Sequence, residues 1–77
     1  MRPMPAVVML RVKTPGPEAL DLLARIETEL NVGAQPQTAG FVPIAVNQMG
    51  PQRAREAVTA VLESSGLDWR KHLELRS

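Results

Sequence analysis

Ala6-Val7-Val8-Met9-Leu10-Arg11-Val12-Lys13, followed by Thr14-Pro15-Gly16-Pro17, is the stretch whose reading decides the fold. Eight largely apolar residues, four of them β-branched or Leu, run straight into a cluster of turn formers. That is a strand ending in a turn. Pro17 fits the first position of a helix, where its missing N–H has no intrahelical partner to lose. Glu18 beside it complements the positive end of the helix dipole. Ala19, Leu22, Leu23, Ile26 and Leu30 then recur at helical spacing, and Asn31 with Gly33 supplies the stop.

The same sentence is written twice. Gly16-Pro17 recurs as Gly50-Pro51, and the same offset lays Val7–Val12 over Phe41–Val46 and Glu29 over Glu63. Phe41-Val42-Pro43-Ile44-Ala45-Val46 is a second apolar run of strand length. A second helix runs from Pro51 to about Ser64, with Ala54, Ala57, Val58, Val61 and Leu62 inward, and Ser65-Gly66 ends it. In the tail, residues 69–76, Leu73 and Leu75 alternate with His72, Glu74 and Arg76, the pattern of a half-buried strand. The chain is read as two strand–helix–strand units in one domain over residues 6–77, with residues 1–5 as an N-terminal arm.

Each unit needs a closing strand, and for the first only Asn31–Thr38 is available. With Gly33 and Pro36 in it, that segment suits a sheet edge. The order β-α-β-β-α-β is the ferredoxin-like arrangement, an α+β open-faced sandwich. It puts Phe41–Val46 in the sheet centre, where Pro43 removes a ladder hydrogen bond and so calls for a bulge. The alternative treats residues 31–40 as a loop and forms a three-stranded parallel β-α-β-α-β sheet. Alternation in the tail favours the open-faced sheet, because parallel strands are usually apolar on both faces.

Composition narrows the function classes. The chain has 77 residues, no cysteine and one histidine, which removes disulfides, thiolate zinc sites and histidine-rich metal cages. Nine basic and eight acidic side chains leave a net charge of +1, with neither a basic arm nor an acidic tail. No run is apolar for long enough to serve as a signal core or membrane span, so a cytoplasmic location without membrane attachment is expected.

Reactive constellations are missing. His72 has no hydroxyl or thiol neighbour to activate, and Ser64-Ser65 reads as a helix end. Glu27 and Glu29 do not share a helix face, Asp21 and Arg25 form an ordinary i,i+4 pair, and His72 with Glu74 is half a metal site without a second half. No catalytic residue, metal or cofactor is assigned. Thr14, Gly16, Gln48 and Gly50 precede the two helix N-termini, expected at one end of the sheet, and form a candidate anion or ligand site.

Strand, Pro15-Gly16, helix and Asn31-Val32 together are similar to the opening of the ACT regulatory domains. Lys13-Thr14 stands where that family usually carries an acidic residue. The likeness spans less than half the chain. It implies the same fold and an amino-acid ligand held between paired subunits.

With Val8, Leu10 and Val12 inward, Val7, Met9, Arg11 and Lys13 face outward on the first strand. Phe41, Pro43 and Ala45 join them from one neighbour, and Arg70, His72, Glu74 and Arg76 from the C-terminal edge. That face is apolar at its centre and mostly basic at its margins. The expected function is a non-enzymatic protein-interaction module, pairing with itself as a homodimer or with a partner protein through Val7, Met9, Arg11, Phe41, Ala45 and His72. Nucleic acid is the alternative ligand for the same face, although only Phe41 is there to stack on a base. An ACT-like small-ligand domain is the third reading.

Overall fold

The computed structural model describes residues 5–76. Of the arm expected over residues 1–5, all but Pro5 lies outside the described residues. Five regular elements follow in order: β1 (Ala6–Val12), α1 (Pro17–Leu30), β2 (Phe41–Val46), α2 (Pro51–Glu63) and β3 (Leu73–Arg76). The sheet has the order β2-β1-β3, and β1 is antiparallel to both neighbours. The domain is therefore a small α+β fold with three strands and two helices.

Both sequence-based topologies need correction. The four-stranded ferredoxin-like order does not form, because residues 31–37 make no strand. The parallel alternative fails because β1 runs against β2 and β3 alike. The physical cause lies in how residues 31–40 travel. β1 ends where β2 begins, since Arg11 pairs with Phe41. The 14 residues of α1 carry the chain to the far end of the sheet, roughly 21 Å away at 1.5 Å per residue. Residues 31–40 must return over that length, and they do so with a turn bond from the Gln37 N–H to the Phe41 carbonyl oxygen at 2.6 Å but without a strand ladder against β2.

Glu27 holds this return segment. Its carboxylate accepts the backbone N–H of Ala34 at 3.0 Å and the side-chain amide of Gln35 at 3.1 Å. Ala34 is buried and Val32 packs against the core. The segment thus spends its polar groups on a helix side chain and its apolar ones on the core, leaving no ladder to build. A 3-10 turn, Thr38–Gly40, with Ala39 and Gly40 at φ 61 and 77, then swings the chain into β2. Gly40 comes close to β1 there, where a Cβ would meet the Val12 carbonyl oxygen at 3.4 Å.

With no strand outside it among the described residues, β2 is an edge, and this resolves Pro43. The register from Ala6–Val46 to Arg11–Phe41 is unbroken, with Met9 opposite Pro43, so the expected bulge is absent. An edge strand has a row of backbone groups with no strand to bond, the position where a missing N–H does least harm. The C-terminal strand is also shorter than the alternation suggests: Trp69–Lys71 form a 3-10 turn and only Leu73–Arg76 pair with β1.

Both helices begin and end close to where their sequence signals fall. Gly16, before Pro17, has φ 157 and ψ −179, a region open almost only to glycine. Asn31 closes α1 in the left-handed conformation. Ala19, Leu22, Leu23 and Ile26 of α1 and Ala54, Val58, Val61 and Leu62 of α2 are buried against Val8, Leu10, Val42, Ile44 and Leu73 of the sheet. Every buried side chain among the described residues is apolar. Glu27→Ala is expected to cost about 1–3 kcal/mol in thermal unfolding, by leaving a half-buried N–H unpaired. Glu27→Gln, which keeps an acceptor oxygen, should recover most of that, and amide exchange at Ala34 should quicken only in the alanine variant.

Candidate sheet-face surface

Alternation along three registered strands builds the face opposite the helices. Val8, Leu10 and Val42 are sealed inward, so Val7, Met9, Arg11, Phe41, Pro43, Ala45, Glu74 and Arg76 stand on the other side. Cross-strand neighbours are Val7 with Ala45, Pro43 with Met9 with Arg76, and Phe41 with Arg11 with Glu74. Val7 is 54% exposed, and it has no β3 neighbour because that pairing begins at Met9. Pro43 and Ala45 are exposed too, while Met9 and Phe41 are half-buried.

Charge gathers at the end of this face near Phe41. The Glu74 carboxylate lies 3.6 Å from Arg11 and 3.2 Å from Arg76. The Arg76 guanidinium reaches across β1 to lie 5.7 Å from the Phe41 ring centroid. All three charged side chains are about half exposed, so each pair stabilises the fold by at most about 1 kcal/mol. Their effect is positional. They hold an arginine pair over one end of the face and leave the Val7–Ala45 end apolar. Glu74 is absent from the candidate interface set, yet it organises this cluster. The signal was its shared parity with Arg76, two residues on.

The basic margin expected from the sequence is smaller in the structure. Lys13 donates from its Nζ to the Arg70 carbonyl oxygen at 2.9 Å, and the Thr14 hydroxyl donates to that of Lys71 at 2.9 Å. The N–H groups of Lys13 and Thr14 both donate to the His72 carbonyl. Arg70 lies 4.5 Å over the Trp69 ring and 3.4 Å from Glu63. These contacts fasten the 3-10 turn to the end of β1 and turn Lys13 and Arg70 away from a shared phosphate track. His72 is half-buried beside this turn, with its Nδ1 enclosed and unpartnered. It precedes β3 and is not part of it.

The candidate anion site does not assemble. Because β1 and β2 run in opposite directions, the turns that follow them lie at opposite ends of the sheet, not at one end as expected. Thr14 and Gly16 sit at the β1 exit and Gln48 and Gly50 at the β2 exit. Thr14 is further committed through both its hydroxyl and its N–H. Beside Gly16 is a groove of about 420 Å³ lined by Pro15, Ala19, Leu20, Leu23, Pro36 and Ala39. It presents apolar surface and no charged side chain. Among the described residues, no three His, Asp or Glu side chains gather as metal ligands, and no helix is long and apolar enough to cross a membrane.

Comparison with protein-family models, curated proteins and solved structures finds no match to this chain. The likeness to the ACT opening also stops at Asn31-Val32, where the four-strand order would continue and this chain instead forms the Glu27-bound return segment.

Of the four basic residues available to phosphates, only Arg11 and Arg76 remain on the open face, and both neighbour Glu74. Fluorescence anisotropy with mixed single-stranded RNA and DNA at low salt is therefore expected to show no binding at tens of micromolar protein. Retention that falls steeply with added salt would restore the nucleic-acid reading.

Proposed function

We propose that this domain is a non-enzymatic protein-interaction module that pairs with a second copy of itself through the open sheet face. The observation that carries the reading is the uncovered apolar patch of Val7, Ala45, Met9, Pro43 and Phe41, contiguous by strand register and shielded by neither helix. A contiguous apolar patch on a small domain commonly marks an association surface. The neighbouring Arg11–Glu74–Arg76 cluster gives that patch a polar rim, the arrangement typical of interfaces. Burying Val7 against a second copy adds roughly 1.5–3 kcal/mol if the side chain leaves water completely.

Val7→Asp tests this more cleanly than a change at Met9, whose cross-strand neighbour Arg76 could neutralise an introduced carboxylate. Light scattering after size exclusion, at concentrations up to about a millimolar, should give the native chain a mass well above 8.4 kDa. Val7→Asp should lower that mass, since a carboxylate cannot be buried there unpaired. Leu20→Asp, at an exposed leucine on α1, should not. An unchanged mass in Val7→Asp overturns the reading.

A further inference from the structure

The sheet ends at β3, and the way it ends has a handed chemistry of its own. One position beyond the β1–β3 ladder, Lys13 donates its N–H to the His72 carbonyl at 2.7 Å, and this bond sets the phase of the ladder. Alternation then assigns Arg11–Glu74 and Met9–Arg76 the same type and leaves Val12–Leu73 and Leu10–Leu75 as the non-bonded pairs. The backbone N–H and C=O of Leu73 and Leu75 consequently point away from β1, to a side where no strand lies among the described residues. Natural edges are usually protected by brevity and charge. Here the charges are arranged so that one partner fits them.

We infer that a second copy of this chain pairs antiparallel along the outer edge of β3, with Leu75 opposite Leu75 and Glu74 opposite Arg76 in both directions. A two-fold axis normal to the sheet keeps both helix layers on the same side, and cross-strand neighbours must then share a face. Only two registers pair three of the four residues of β3, Leu73–Arg76, with a second copy. Centring on Glu74 sets two carboxylates face to face, which is destabilising. Centring on Leu75 creates two opposite-charge pairs at non-bonded positions, where side chains approach most closely. It also lets the outward N–H and C=O of each Leu75 exchange hydrogen bonds with their counterparts.

On the helix side Leu75 borders a groove of about 550 Å³ whose lining also includes Val7, Pro51, Arg55, Glu56 and Thr59. Charge continues across the seam on the open face as Arg11, Glu74, then Arg76 of the second copy. The two surfaces share Glu74 and Arg76 at their border but bury different groups, the outward backbone of β3 in one and Val7, Met9 and Phe41 in the other, so this pairing does not rest on the function proposed above.

The test uses an Ala45→Asp chain, which places an unpaired carboxylate on the open face away from the Leu75 groove, so that the sheet face contributes nothing. Its mass near a millimolar should be that of two copies. Glu74→Arg added to it should raise the dimer dissociation constant at least about tenfold, since both cross-strand attractions become repulsions. Adding Arg76→Glu as well should restore pairing, with circular dichroism confirming folded chains throughout. Because Glu74 also neighbours Arg11 and Arg76 within one chain, the register is read separately by cross-linking. The protein has no cysteine of its own. An equal mixture of Glu74→Cys and Arg76→Cys chains retains one of the two charge pairs and should form the mixed disulfide on mild oxidation, while Glu74→Cys alone should not. A monomeric Ala45→Asp chain overturns the edge pairing, and so do dimers indifferent to Glu74→Arg. Preferential cross-linking of Glu74→Cys to itself would overturn the register. If the sheet-face reading alone fails, Ala45→Asp keeps the native mass and the edge variants still dissociate it.

Discussion

Everything in this domain is built around Leu10, wholly buried at the centre of β1 with Val42 on one side, Leu75 on the other and the helices beneath. From Met9 to Arg11 β1 is paired on both sides, so its neighbours there are fixed in register as well as in place. That constraint decides the open face. Once Leu10 points inward, Met9 and Arg11 must point outward, and each neighbour follows by pairing. The helices then need only small aliphatic stripes to close the other side, and their patterns provide that much and little more.

The regular elements were legible because their signals are local. Both helix starts, at Pro17 and Pro51, depend on a residue type and a dipole, and the two long strands on β-branched runs. Topology was less legible, because a strand exists only where a partner accepts its hydrogen bonds. Residues 31–38 carry too little pattern to announce the bond that decides them, from Ala34 N–H to Glu27. Glu27 reads in sequence as a solvated helix carboxylate, and nothing marks it as a strut. Pro43 was a visible objection to a central position and, read alone, pointed to the edge strand that β2 is.

The surface shows the same division. Parity along β1 and β2 placed Val7, Met9, Arg11, Phe41 and Ala45 on one face. Parity failed at residues 70–72, where the chain folds into a 3-10 turn and His72 adopts helical backbone angles. Trp69 explains the failure. A large aromatic is buried there under the Arg70 guanidinium, and the turn forms around that anchor. Lys13 and Thr14, which read as margin and ligand turn, serve as its fastenings.

Placing the first strand at the centre also sets the order of events during synthesis. β1 leaves the ribosome before its partner strands, and the turn that locks its end lies 57 residues further along the chain. β2 can cover one edge once residues 41–46 emerge, but the edge that takes β3 stays bare until that turn is made. Contacts this distant in sequence carry a loop-closure cost that slows folding. The nascent chain is exposed to intermolecular strand pairing for correspondingly longer. A strand order with the first strand at the rim would shorten that interval, and would leave Leu10 without its second neighbour.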